Sequence, residues 1–259
     1  MHITEGIITG TPAVLYTAAG IALVGYGSTK MKKFAASFPE KRPLIGMAGA
    51  LIFFVSLLPI PAFTGTCSHP CGTPLIAILF GPAIAIALTG VSLLLQAAFF
   101  AHGGFGTWGA NVVALGLLGS LAGWWSFWLA RKIGVPLWGA GMIGGLIGDV
   151  AVYAGSGFIL ANALINAPTP QYSFGGYLTV IYGAYLPTQL PIAIAEMVIT
   201  GLALHYIYRQ RPGVLVDLGL AENIAVRPGK PIEITLKSLF LATMLLIMST
   251  NHAVAANVA

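Results

Sequence analysis

All twelve lysines and arginines of this chain fall in three short segments, Lys30 to Arg42, the pair Arg131-Lys132, and Arg209 to Lys237. Between them run apolar stretches, several longer than the ~20 residues that carry a helix across a bilayer. With 57% of its residues hydrophobic and only 7% charged, the chain has too little polar surface for water, where a soluble domain carries roughly 25% charge. In lipid every backbone polar group must bond within the protein. These runs are continuous rather than alternating with period two, so they read as helices and not as barrel strands. The expected fold is an all-α polytopic membrane bundle.

Basic residues flank spans on the cytoplasmic side, so the three basic segments are expected there. Helix 1 then runs from about Thr11 to Tyr26 with the N-terminus outside, and helix 2 returns from about Leu44 to Phe63. The loop Thr64 to Thr73 is external. An odd number of crossings must separate it from Arg131, which a single helix over Pro74 to Ala101 followed by one more cannot supply. Splitting that stretch near Gly81-Pro82 or Thr89-Gly90 into two short helices restores the parity and leaves His102 to Asn111 outside. Helix 5 comes in to Arg131, helix 6 goes out from about Leu137 to Leu164, and helix 7 returns from about Gly176 to Tyr208 across Pro187 and Pro191. That makes seven core crossings in a bundle over residues 1–208.

Residues 209–237 hold eight of the nineteen charged side chains together with three prolines, which reads as a cytoplasmic linker. The apolar segment 238–259 is expected to add an eighth crossing, as an anchor or as the remnant of a small accessory membrane subunit. The net charge of +5 follows from orientation, and with no basic platform interleaved with aromatics, nucleic acid is excluded as a partner.

Ionisable groups inside a bundle are costly, which directs attention to His69, His102, Asp149, Glu196 and His205, with Gln96, Asn111 and Gln189 as polar company. Asp149 and Glu196 read first as hydrogen-bond fixtures between helices, and His102 as a solvated loop residue. The first two residues stand apart. Positive charges follow the first apolar run instead of preceding it, so Met1 is expected to persist. An α-amine, an amide nitrogen and an imidazole on adjacent residues can chelate one transition-metal ion through fused rings, although a solvated histidine on a frayed end is the simpler reading of His2. His69 lies on the same external side, in Gly65-Thr66-Cys67-Ser68-His69-Pro70-Cys71-Gly72-Thr73. Small residues and prolines around this loop would let it fold down into the mouth of the bundle. Cys67 and Cys71 suit a disulfide on an oxidising side or buried free thiols better than soft ligation to a metal. Ala18, Ala19, Ala22 and Gly25 give helix 1 a small-residue face for close approach, either to a partner subunit or to another helix of this chain.

Taken in order, Met1-His2-Ile3 with Glu5-Gly6, the Gly-Thr-Cys-Ser-His loop ending at His69, and Ala77-Ile78-Leu79-Phe80-Gly81-Pro82 with Gln96 form the first part of a pattern. Gly103-Gly104, Gly106-Thr107, Gly109-Ala110-Asn111 and Gly148-Asp149 with Tyr153 extend it. Thr188-Gln189-Leu190-Pro191, Ala193-Ile194-Ala195-Glu196 and Thr200-Gly201 complete it. In these anchors the chain resembles the substrate-binding membrane subunit of nickel/cobalt energy-coupling-factor transporters, the CbiM/NikM type. The resemblance implies seven crossings with an external N-terminus and a near-planar site for Ni²⁺ or Co²⁺. The ligands would be the Met1 amine, the His2 amide and imidazole, and the His69 imidazole, with Thr66, Gln96 and Asn111 as candidates to steady the histidines.

It also implies a non-catalytic subunit that works with a coupling membrane subunit and two ATP-binding subunits, since the sequence itself contains no phosphate-binding loop of the Gly-x-x-x-x-Gly-Lys-Ser/Thr type. Ala18 and Ala22 become candidates to face the coupling subunit. The pattern is broken at His69-Pro70-Cys71, where a second cysteine stands close to the implied site and leaves copper open as cargo. Two other classes fit the ionisable residues less well: a membrane metalloenzyme built on His2, His69, His102 and Glu196, and a passive channel.

Overall fold

The computed structural model describes residues 2–58, 60–61 and 67–221. Met1, Thr66, the later part of the linker and the segment 238–259 with its expected eighth crossing lie outside the described residues. Among the described residues there are eight helices: α1 (Gly10–Ser37), α2 (Arg42–Ser56), α3 (Thr73–Phe80), α4 (Pro82–Phe100), α5 (Trp108–Lys132), α6 (Leu137–Ile165), α7 (Phe174–Gln210) and the short α8 (Pro212–Asp217). Four of these, α4 to α7, are long and apolar enough to cross a membrane. The surface is built inside out relative to a soluble protein. Val14, Leu15, Phe54, Phe99, Trp125, Leu129 and Leu186 face outward, while His2, Ser68, His69, Gln96, Asn111, Asp149, Gln189 and Glu196 are buried. That arrangement places apolar side chains against lipid and polar ones against each other.

The break at Gly81-Pro82, one of the two positions where parity asked for it, separates α3 from α4. Gly81 takes φ 86° and ψ 155°, a conformation that only glycine adopts without strain, and Pro82 then starts α4 with the fixed φ that suits a first helical position. With 8 residues, α3 is about 12 Å long, too short to be a crossing by itself. It begins part-way down the bundle, where Thr73 meets Thr89 of the middle of α4 at 3.2 Å. Helix 2 stops at Ser56 rather than near Phe63, since Leu58-Pro59-Ile60-Pro61 offers no run that a helix can use. In its place Ile60–Pro61 (β1) pairs antiparallel with Cys67–Ser68 (β2), and His2 bridges to Cys67 on the other side. This small ribbon is the one β element in a helical protein among the described residues. Helix 1 extends through its three lysines to Ser37, beyond the expected end at Tyr26.

Lys41 meets Asp217 at 3.4 Å, and Arg131 and Arg209 line one cavity of about 590 Å³ with His205. All three basic segments therefore meet at one end of the bundle. The ribbon and the start of α5 lie at the other end, where α1 begins and where α2 and α4 finish. Helix 1 packs on α4 through Gly27, where an added Cβ would overlap the Ala83 carbonyl, and on the start of α5 through Gly20. Ala18, Ala19, Ala22 and Gly25 stay exposed on the opposite face of α1, so the small residues that hold α1 to its own chain are not the ones that the spacing singled out.

Candidate metal centre

The N-terminal segment is threaded into the end of the bundle opposite the basic residues and clamped there. The Ile3 N–H donates to Asn111 Oδ1 at 2.8 Å, and Asn111 Nδ2 donates back to the Ile3 carbonyl at 3.1 Å. One side-chain amide thereby completes a peptide group as a neighbouring strand would. The Thr107 hydroxyl donates to the same carbonyl at 3.0 Å, and the Gly106 N–H donates to Glu5 at 2.9 Å. Glycine is required at 104 for this fit, since a Cβ there would overlap the Glu5 carboxylate. On the other side the His2 N–H donates to the Cys67 carbonyl at 3.3 Å. Asn111 therefore holds the terminal segment rather than an imidazole, and His2, far from fraying, is fully buried.

His2, Cys67, His69 and His102 come together with their ligand atoms all within 4.8 Å of one another. The ring centres of His2 and His69 lie 4.5 Å apart, and those of His2 and His102 4.3 Å apart. His69 Nδ1–H donates to the Pro70 carbonyl at 2.9 Å, which leaves Nε2 with its lone pair free, the usual arrangement of an imidazole ligand. Among the described residues, His69 Nε2 and His2 Nε2 have no hydrogen-bond partner although both are buried. Burial pushes both imidazoles well below the ordinary range, with His69 and His102 adding to the effect at His2. Burial also brings His102 down to about 4 and pushes the Cys67 thiol upward. All three rings are thus neutral at pH 7, the form that binds metal, and the thiol keeps its proton until an ion displaces it.

The two cysteines face different layers. Cys67 Sγ lies 3.0 Å from His102 Nε2 and 4.0 Å from His2 Nδ1, whereas Cys71 Sγ points to Asp149 at 3.7 Å. Both are free thiols. Of the disulfide and the buried free thiols expected for this pair, the structure holds the free thiols, because the chain turns down into the bundle between them. His102 is likewise no solvated loop residue, being half-buried against Cys67. Gln96 donates to Ser56 Oγ at 2.7 Å and to the Phe53 carbonyl at 3.1 Å; it ties α4 to α2 instead of steadying a histidine.

Beneath the histidines, two buried carboxylates support the loop. Glu196 accepts from the Cys71 N–H at 3.0 Å and from the Gly72 N–H at 2.8 Å. Non-helical backbone at membrane depth survives where protein supplies such partners. Asp149 accepts from Gln189 at 2.7 Å, the α6–α7 link foreseen for it. Ser68 meets Thr188 at 3.5 Å, within the part of α7 that carries Pro187 and Pro191. The role of Glu196 as holder of a loop 125 residues away was not readable from its position in a helix.

The sequence profile of the family described as CbiM, cobalt uptake substrate-specific transmembrane region, matches residues 2–214. A cobalt transport protein CbiM of Geobacter sulfurreducens is 37% identical over 223 residues, covering 86% of this chain and 63% of that protein. The match thus spans less than two thirds of that relative. A cobalt transport protein CbiM of Sorangium cellulosum is 37% identical over 230 residues, with 88% of this chain and 99% of that protein covered. In structure the chain is similar to a truncated transition metal transporter seen by crystallography, with a TM-score of 0.70, 26% identity, and 80% of this chain and 98% of that one covered.

Proposed function

Because this chain belongs to the CbiM family, the substrate-specific transmembrane component of cobalt uptake, we propose that Met1, His2 and His69 hold Co²⁺ or Ni²⁺ at the outer end of the bundle for delivery inward. The observation that carries this reading is the burial of His2 and His69 side by side, with His69 Nε2 left without a partner among the described residues. Leaving a buried polar group unpaired costs roughly 1–3 kcal/mol, and an arriving cation would recover that cost at His69 Nε2. The Met1 amine, the His2 amide nitrogen and His2 Nδ1 form two fused chelate rings, and His69 Nε2 fills the fourth position. Nitrogen donors favour these transition ions over Mg²⁺ and Ca²⁺, which prefer oxygen. As the ion binds, the amide gives up its proton and with it the bond to the Cys67 carbonyl. Asn111, Thr107 and Glu5 keep the terminus in place meanwhile.

Seven core crossings carry the site, with the N-terminus outside and the basic end at the cytoplasm. The chain binds and does not catalyse. ATP hydrolysis falls to two ATP-binding subunits acting through a coupling membrane subunit, and Ala18 and Ala22, exposed on α1, suit close approach of that subunit's helices. Uptake of cobalt and nickel into cells tests this. Accumulation is expected only when the chain is expressed with its ATP-binding and coupling partners, and is expected to vanish with His2→Ala. Metal-dependent turnover by the chain alone, or uptake unaffected by His2→Ala, would overturn it.

A further inference from the structure

Cys67 and His102 have no part in the terminal chelate, yet they stand at its rim. His2 and His69 are fully buried, whereas Cys67 and His102 are only partly so. An ion coming from the outer side thus meets the pair before it meets the chelate. Cys67 Sγ and His102 Nε2 lie 3.0 Å apart. Ligand atoms bound to one ion at about 2.0–2.3 Å sit roughly 3–3.6 Å from each other, so the pair needs little adjustment to share an ion. The next donor, His2 Nδ1, is 4.0 Å from the same sulfur, and the Cys67 carbonyl already accepts the His2 N–H. The His102 ring packs edge-on against the His2 ring, with centres 4.3 Å apart.

We propose that Cys67 and His102 form a capture site, a soft two-ligand station that takes a divalent transition ion from the outside and passes it to the Met1–His2–His69 chelate. This rests on the chelate described above and adds the order in which ligands are exchanged. At capture a sulfur–metal bond forms and the thiol proton leaves to solvent. At transfer that bond breaks, and nitrogen–metal bonds form at the amine, the amide and the two imidazoles. The amine and the amide together release two protons; the Cys67 thiolate takes back one and the other goes to solvent. The station is vacated by the hand-off, which separates it from a resident ligand.

That separation can be measured by stopped-flow mixing of the purified full chain with Co²⁺ alone. A group that acts only along the path alters binding and release rates in the same proportion, leaving the equilibrium constant unchanged. His102→Ala and Cys67→Ser are expected to slow both rates by about tenfold or more with Kd held within about threefold. In the unaltered chain a thiolate-to-cobalt charge-transfer band is expected to rise and then decay as the final spectrum develops, and to be missing in Cys67→Ser. Release that speeds up while binding does not slow would make these residues resident ligands. Unchanged rates in both variants would remove them from the path. Either result overturns the capture site, as does a charge-transfer band that never appears in the unaltered chain, a readout needing no variant. A His2→Ala chain run beside these separates the two readings: failure of the chelate shows as unchanged Co²⁺ affinity there, whatever the rates do in the other variants.

Discussion

The buried carboxylates and the buried imidazoles in the half of the bundle away from the basic residues differ in how completely they are satisfied. In the lower layer each Glu196 oxygen accepts a backbone N–H, and Asp149 pairs with Gln189 across two helices. In the upper layer His2 and His69 each keep a ring nitrogen without a partner. Buried carboxylates with their bonds made are scaffold, because they hold a non-helical loop at a depth where water cannot serve it. Buried imidazoles with bonds unmade are a place for a ligand, because only a ligand removes the penalty of their burial. The same chain segment joins the two: His69 looks up and Cys71 looks down, two residues apart.

If the lower layer is scaffold, its loss should act on stability first. Glu196→Leu leaves two buried N–H groups unpaired, at roughly 1–3 kcal/mol each, so thermal unfolding of the detergent-solubilised chain should show a loss of about 2–6 kcal/mol. Glu196→Gln, which keeps an acceptor, should lose clearly less. Equal losses in the two variants would mean that the carboxylate's charge, not its acceptor pair, holds the loop.

Asn111 serves the upper layer from outside it. Asn111→Ala frees the Ile3 peptide, and metal affinity measured by calorimetry should fall about 10–100-fold, the usual cost of removing a group that positions a ligand, while unfolding is affected less than by Glu196→Leu. An affinity left intact would show that the terminus needs no clamp.

A third contrast appears on acidification. Burial holds His102 at about 4 and keeps His2 and His69 low as well, whereas in the unfolded chain histidine protonates near 6.5. At these groups the unfolded state therefore binds more protons between these values. Their contribution to the stability of the metal-free chain is full above about pH 6.5 and is lost as pH drops toward about 4, so the unaltered chain should lose stability over that range relative to His102→Gln. A difference between the two that does not change with pH would contradict the burial of His102. The smallest effect belongs to the basic end. Asp217 is 56% exposed on its side chain, so Asp217→Asn should cost less than about 1 kcal/mol and leave metal binding unchanged.

Charge placement alone made much of the architecture legible. Basic residues gather on the cytoplasmic side of spans, so the three clusters were expected to share one end, and the parity they impose called for a break at Gly81-Pro82 or Thr89-Gly90. The same reasoning was blind to the depth of α3, because it counts crossings and not where each begins. His2 and His69 could be paired from their shared side of the membrane. What held them could not: Asn111 binds a peptide group 108 residues away and Glu196 binds one 125 residues away, and hydrogen bonds between distant backbone and side chain leave no periodic trace. The opposite facing of Cys67 and Cys71 was hidden for a related reason, since spacing along a loop says nothing of where the loop turns.

The most direct test of the terminal chelate is the metal content of chain purified with a free N-terminus and a C-terminal tag, beside a form with two glycines inserted before His2. The insertion moves the amine away from the His2 amide and imidazole, beyond the reach of small fused chelate rings, while leaving every side chain of the bundle unchanged. About one cobalt or nickel per chain, lost with the insertion, is the predicted result. Full occupancy in the inserted form would contradict the chelate and move the metal to the His69, Cys67 and His102 side of the cluster.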